Sequence, residues 1–231
     1  MRRYWGDGSK FVCGVEFLAD RKDCLVYSIG SSEHDGFERG ILAAAPHCEV
    51  HTFDPTSSAD AMRARSTAAG YRFHLVGLGS RARSSTGGTL GAGPLRTLQE
   101  IMADLGHAGR TLDILKIDCE GCEWFTLREQ VFAPMRSGAL AVGQLQVELH
   151  LLRGQLRPLP AIAKLFEDAD AAGLRVFHKE RNAWCGAWKV CLEYSLVSAE
   201  WARHVFHRTH CPDSVATPAE LGDVRAQLDC D

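Results

Sequence analysis

Two carboxylates and a glycine, closing an apolar run, mark the stretch where this chain can do chemistry. In Thr111 to Trp124, TLDILKIDCEGCEW, the run from Leu112 to Ile117 ends in Asp118 and Glu120. Gly121 then breaks the chain, and a helix is predicted to begin near Glu123. Acids at the open end of a buried strand can hold an ammonium, a cation or a pair of hydroxyls, and glycine lets backbone approach a ligand closely. Lys116 interrupts the apolar run and shares strand parity with Asp118 and Glu120, so the three side chains point the same way. A strand buried on both faces should be continuously apolar. Lys116 therefore either needs a carboxylate partner or belongs to a polar site.

A second run, LAVGQLQVELH (140–150), alternates: Gln144, Gln146, Glu148 and His150 fall on one parity, Leu145, Val147 and Leu149 on the other. Glu148 is expected to pair with Lys116 on the adjacent strand, since a buried ammonium needs a partner, and helices are expected to satisfy the glutamines. His150 ends its strand beside Asp118 and Glu120. An imidazole of ordinary pKa can take the proton of a hydroxyl acceptor, so His150 and Asp118 are the candidate catalytic pair. The other reading of His150 is a satisfied loop histidine. Asp118, Glu120 and His150 also combine oxygen and nitrogen donors that suit a divalent metal, but the set is short of ligands and the base is the favoured reading.

These groups need strands that bring their ends to one edge. Apolar runs at 24–30, 49–55, 72–79, 112–117, 140–150, 174–182 and 189–198 read as seven strands. Helical spacing over Phe37, Ile41 and Ala44, from Ser57 or Ser58 to Gly70, from Pro94 to Gly106, after Glu123, and from Leu159 to Ala172 fills the intervals. Residues 80–93, rich in Ser, Gly and Arg, read as a loop. Thr217-Pro218-Ala219-Glu220 has the form of a capping box opening a last helix to about Leu228. Too few residues separate the last two strands for a crossover, so they should be antiparallel. The predicted fold is α/β: a doubly wound, mostly parallel seven-stranded sheet with an antiparallel last strand. One domain is expected over residues 1–231, with a lead-in segment (1–23), a core (24–198) and a C-terminal helical extension (199–231).

A net charge of −3 gives no footing for nucleic acid or membrane binding through overall charge, and no nucleic-acid partner is expected. No apolar stretch approaches the ~18 residues of a membrane span. MRRYWGDGSK is not followed by the apolar core of a signal peptide. The expectation is a cytoplasmic protein if the chain is complete, and a secretory-pathway lumenal one if an upstream anchor has been removed. The nine cysteines include Cys119 and Cys122, a C-x-x-C across a strand-to-helix turn. With no second pair at zinc-ribbon spacing these are expected to be structural thiols. His204, His207 and His210 drift round a helix and are expected on a solvated face.

YSIGSS, VHTFDPT, LVGLGS and LDILKIDCEGCEW follow one another in an order that resembles the FkbM-type methyltransferases. The resemblance is closer still to the methyltransferase-like branch whose animal members carry an N-terminal membrane anchor, and it covers roughly residues 1 to 198. It implies the class I fold and methyl transfer from S-adenosylmethionine, with sugar hydroxyls among the acceptors of the wider group, so a small-molecule or glycan-like acceptor is expected. A dehydrogenase would instead favour G-x-G-x-x-G after the first strand, where this chain has Gly30-Ser31-Ser32-Glu33-His34-Asp35.

On this resemblance Gly30 passes under the methionine part of the cofactor. The acid usual two residues earlier is Ser28 here, so Asp118 or Glu120 would take its ammonium. Asp54 would accept from the ribose hydroxyls, or else simply form the turn before Pro55. Gly79, within 77–80, would border the adenine. Asn182, Trp184 and Trp188, on the loop between the last two strands, would meet the acceptor, the tryptophans either stacking on it or capping the core. The rival reading is a non-catalytic binding module with a decayed cofactor site, which Ser28 and the glycine-poor first turn favour.

Overall fold

The structure, a computed structural model, describes residues 2–4, 10–152, 159–183, 185 and 189–210. A seven-stranded sheet is built from β3 (Leu25–Ile29), β4 (Glu49–Phe53), β5 (Arg72–His74), β9 (Thr111–Ile117), β10 (Ala141–Leu152), β11 (Leu174–Asn182) and β12 (Lys189–Ser198), in the order β11-β12-β10-β9-β3-β4-β5. β12 runs antiparallel to β10 and to β11, and the remaining neighbours are parallel. This is the predicted doubly wound sheet with one reversed strand. Central strands are buried on both faces: Leu25, Tyr27 and Ile29 enter one core with Leu115 and Ile117, while Val26 enters the other with Ile41 and Val50.

Helices α1 (Gly36–Ala44) and α2 (Ala59–Ala69) follow β3 and β4. The turn out of β3 admits no side chain. Gly30 has φ +82°, and a Cβ there would sit 1.7 Å from the carbonyl oxygen of Asp118. Glycine is required because two strand ends meet backbone to backbone.

Residues 72–80 and 80–93 depart from the sequence prediction. The third strand stops at His74, and β6 (Gly77–Leu78) leaves the main sheet to pair with β8 (Gly93–Arg96), which also pairs with β7 (Thr89–Leu90). Between them lies a short helix, α3 (Arg81–Ser85). Pro94 is thus a strand residue. The helix after it, α4 (Leu98–Asp104), starts at a capping box: Thr97 Oγ1 accepts from Glu100 N at 3.2 Å, and Glu100 Oε2 accepts from Thr97 N at 2.8 Å. That reciprocal pair outcompetes proline as a start signal.

After β9 a helix runs as α5 (Glu123–Thr126), a π-helical stretch (Leu127–Phe132) and α6 (Ala133–Arg136). Gln130, buried in that stretch, accepts from Leu98 N and donates to Gly79 O, both at 2.8 Å, tying it to the neighbouring loops. α7 (Leu159–Ala171) links β10 to β11, and α8 (Ala199–His210) starts directly after β12. Trp201 of α8 is held at the opposite sheet edge, its indole Nε1 donating to Asp113 Oδ1 at 2.8 Å. A Cβ on Gly143 would meet that ring at 2.5 Å. His204 is exposed, as expected; the side chains of His207 and His210 and the capping box at 217–220 lie outside the described residues.

The lead-in segment forms a hairpin of β1 (Arg2–Tyr4) and β2 (Lys10–Val12). It answers the polar parity of β10, which helices were expected to satisfy. Gln144 accepts from Cys13 N at 3.0 Å and donates to Cys13 O at 2.7 Å, and Gln146 donates to Phe11 O at 3.2 Å. Disulfides join Cys24 to Cys48, Cys119 to Cys122 and Cys185 to Cys191, so the C-x-x-C is a bonded pair rather than two thiols. Among the described residues no helix is long and apolar enough to cross a membrane.

Candidate functional site

Sheet order reverses between β3 and β9, so their following loops diverge and leave a crevice at the carboxyl edge. A cavity of about 500 Å³ lies there, walled by the Gly30–Ser32 turn, Gly36–Glu38, Asp54–Thr56, Gly77, Leu78, Lys116 and Asp118–Cys122. Gly30, Asp54, Asp118 and Glu120 are thereby brought together. Ser28 is fully buried within β3, and neither it, Gly79 nor His150 belongs to the wall, although Gly77 and Leu78 do. Ser32, Glu33 and Glu120 have φ of 45°, 65° and 57°. Left-handed backbone at non-glycine residues costs free energy, and all three lie in the two loops that flank the crevice.

Asp54 is 3% exposed and fully engaged. Its Oδ2 accepts from Ser31 N and Ser32 N, both at 2.9 Å, and from Ser31 Oγ at 3.2 Å. Its Oδ1 accepts from Thr56 N and Oγ1 at 2.8 Å and from Ser57 N at 3.0 Å. Burial works against its charge, but the amides of Ser31, Thr56 and Ser32 outweigh it and hold the pKa well below the usual carboxylate range. Asp54 clamps the two loops together.

Behind Asp118 lies a buried charge cluster centred on Lys10. Its ammonium stands 2.7 Å from Glu193 Oε1, 3.2 Å from Asp118 Oδ2 and 3.4 Å from Glu148 Oε2. Lys116, the expected partner of Glu148, instead donates to Gly30 O and lies 3.8 Å from Asp118. Its carboxylate neighbour lies two residues on, just past the end of its own strand, and Glu148 is left to Lys10 and to Asn182 Nδ2 at 2.9 Å. Asn182 is therefore part of the buried cluster. Trp184 and Trp188 lie outside the described residues.

Burial disfavours the Lys10 charge, but Asp118, Glu193 and Glu148 together more than offset it and keep its pKa above the ordinary lysine value. Burial is likewise outweighed at Asp118, whose pKa Lys116, Lys10 and His150 lower. Three carboxyls around one ammonium cannot all ionise cheaply. Glu148 and Glu193 face each other across β10 and β12, and burial, with repulsion from Glu148, pushes Glu193 up to about 8.

His150 is 6% exposed. Its Nδ1 bonds to Glu123, while Nε2 lies 3.7 Å from Glu120 Oε2 and 3.9 Å from Asp118 Oδ1. Burial opposes its charge, yet Glu123, Glu120 and Glu148 prevail and raise its pKa to about 9. A cation for the carboxylates of Asp118 and Glu148 is already built in as Lys10. Glu148, His150 and Cys191 have donor atoms within 4.8 Å of one another, but the Cys191 sulfur is bonded to Cys185.

The model of the family described as a methyltransferase domain (Methyltransf_22) matches residues 2–198. The chain belongs to that family. No curated protein matches it. Solved structures similar to this methyltransferase domain include the Methanococcus jannaschii fibrillarin pre-rRNA processing protein, at 10% identity and TM-score 0.48 over 83% of this chain and 71% of that one. Another is magnesium protoporphyrin IX methyltransferase from Synechocystis PCC 6803 with bound SAM, at 13% identity and TM-score 0.44 over 80% and 76%. A third is the Burkholderia thailandensis 1,6-didemethyltoxoflavin-N1-methyltransferase with bound 1,6-didemethyltoxoflavin and S-adenosylhomocysteine, at 13% and 0.41 over 77% and 72%. Likeness at this level carries no argument about the site, which is read from the chain's own geometry.

Four groups of the methyltransferase domain's site escaped the sequence reading. Lys10 gave no signal, because its partners lie 138 and 183 residues away. Glu193 was visible as an acid inside an apolar strand, and Glu123 as the last acid of the Thr111–Trp124 stretch. Glu38 on α1 is the fourth. It is 1% exposed and on the cavity wall, with Oε1 accepting from Thr52 Oγ1 at 3.1 Å. Its Oε2 has no hydrogen-bond partner among the described residues.

Proposed function

We propose that this methyltransferase domain binds S-adenosylmethionine in the carboxyl-edge cavity and methylates an oxygen of a small-molecule or glycan-like acceptor, as in the FkbM-type branch its motifs resemble. The observation that carries this reading is the cavity at the point where strand order reverses, walled by Gly30, Asp54 and Asp118 in a chain of a methyltransferase family. The cofactor supplies a methyl group on a positively charged sulfur.

Glu38 supports the fit. It is a wall residue and its buried Oε2 is unpartnered among the described residues, so it offers the carboxylate that Ser28 does not, and we assign it the cofactor's ammonium. Asp54 acts mainly by holding the Ser31–Ser32 turn against Thr56, with its ribose contact made by sharing oxygens that these donors already use. Asp118, anionic and facing the cavity, orients the acceptor hydroxyl. His150 lies behind Asp118, off the wall, so the hydroxyl's proton reaches it only by way of that carboxylate and only once the imidazole has lost its own; turnover should then rise with pH towards about 9.

The test is thermal unfolding of the full chain with S-adenosylhomocysteine. A ligand of the native state at 100 times its Kd stabilises by about 2.7 kcal/mol, and Glu38→Gln should reduce that shift. Absence of any shift in the parent overturns the cofactor assignment and favours the rival, a binding module with a decayed cofactor site, to which Ser28 and the saturated Asp54 point. An unchanged shift in Glu38→Gln removes Glu38 alone.

A further inference from the structure

Away from the cavity, the sheet carries a second buried polar cluster. Glu49 and His51 stand two apart on β4 and so share a face, His74 ends β5, and His107 comes from the turn between α4 and β9. His51 Nε2 lies 3.1 Å and His107 Nε2 3.5 Å from Glu49 Oε1, and the three donor atoms are within 4.8 Å of one another. Ligands of a tetrahedral ion at about 2.0–2.1 Å stand about 3.3–3.4 Å apart. Two of the three edges, at 3.1 and 3.5 Å, lie close to that length, and the third, between the two imidazole nitrogens, is no more than 4.8 Å.

We propose that Glu49, His51 and His107 form a binding site for a divalent transition-metal ion of the zinc class, with water completing the coordination. Two imidazoles and a carboxylate, with no thiolate, suit zinc and its neighbours.

The surroundings are those that metal-bound histidines require. Ligation through Nε2 places the proton on Nδ1, which then needs an acceptor. His107 Nδ1 lies 2.6 Å from the Tyr27 hydroxyl, and His51 Nδ1 lies 2.8 Å from His74 Nε2. Both acceptors are thus in place, and both fix the ring that carries the ligating nitrogen. Arg110 Nη1 holds the other Glu49 oxygen at 2.7 Å, leaving Oε1 for the ion.

One group competes. The Arg72 guanidinium bonds Glu49 Oε1 and approaches His51 Nε2 at 3.5 Å, close to where the ion would sit. Lys10, which plays this part among the carboxylates of the cavity, is 4% exposed and cannot leave. The Arg72 side chain is 65% exposed, so it can turn into water at little cost. The ion would then staple β4 to the turn that precedes β9.

The test uses the full chain, stripped of metal, titrated with zinc alone by calorimetry and with cobalt(II) alone by its visible spectrum. One equivalent should bind, giving cobalt the intense absorption of tetrahedral coordination. Glu49→Gln and His107→Ala should each weaken zinc by about 100-fold or more, while Tyr27→Phe should cost about 10–100-fold. Arg72→Gln should tighten binding, and His204→Gln, an exposed histidine elsewhere, should change nothing. Should a ligand variant fail to fold, Arg72→Gln remains decisive, because it lies at the surface. Zinc binding that survives Glu49→Gln and His107→Ala, or that weakens in Arg72→Gln, overturns the site.

Discussion

His150 and His51 are both buried in one sheet, each within hydrogen-bonding reach of a glutamate, and their proton affinities move in opposite directions. His150 is raised to about 9 and His51 lowered to about 4. Burial disfavours the imidazolium in both. The difference lies in what else holds the glutamates. Glu123 is fully buried against His150, and Glu120 and Glu148 add to its field. Glu49 is shared with the guanidinium groups of Arg110 and Arg72, and His74 and His107 crowd the same imidazole. A carboxylate neighbour thus charges a buried histidine only where its negative charge is not already answered. One cluster is built to keep a proton, the other to keep a nitrogen lone pair.

Glu123→Gln is the sharpest way to break that contrast. Removing one member of a buried ion pair should cost about 3–5 kcal/mol, read as a lower urea midpoint at neutral pH. An unchanged midpoint would mean that His150 does not depend on Glu123 for its charge.

The two histidines should also leave opposite marks on stability against pH, measured in chelator so that no ion intervenes. His150 has its folded pKa raised. Its contribution is full below its unfolded pKa of about 6.5 and is lost as pH rises through about 9, amounting to about 3 kcal/mol. His51 has its folded pKa lowered, so the unfolded chain binds the extra proton, and stability falls as pH drops from about 6.5 towards about 4. Subtracting the urea midpoints of His150→Gln and of His51→Gln from those of the parent isolates each slope. Slopes of the same sign would end the comparison.

The smallest effect is expected at Glu49→Gln. The Glu49 side chain is 27% exposed and its arginine partners are more so; ion pairs of that kind contribute about 0–1 kcal/mol. A loss as large as that of Glu123→Gln would show that the two glutamates do the same work.

The sheet was legible because its signals are local: apolar runs of strand length, glycine at the first turn, and a connection too short for a crossover before β12. The end of the third strand and the start of α4 were not. Each depends on a choice between competing local signals, Pro94 against the Thr97–Glu100 box, which the folded neighbours decide. At the site, Asp118, Glu120 and Asp54 could be placed by their strand ends alone. The pairing of Glu148 could not. A buried acid shows that a cation is needed, and Lys116 was the nearest candidate in the sheet; the one that serves comes from outside it.

That last contact bears on the order in which the protein can be completed. Lys10 belongs to the twelfth strand's glutamate, 183 residues downstream, and closing so long a loop weighs against early formation. On the ribosome the hairpin emerges before every strand of the main sheet, and its partners on β10 and at Asp118 are made before β12 supplies the last of them, Glu193. Up to that moment Lys10 has only Asp118 and Glu148 to meet and lacks its shortest contact, the one to Glu193. The segment that a strand count would trim as a lead-in is therefore one whose buried charges are fully matched only when the last strand of the sheet is in place.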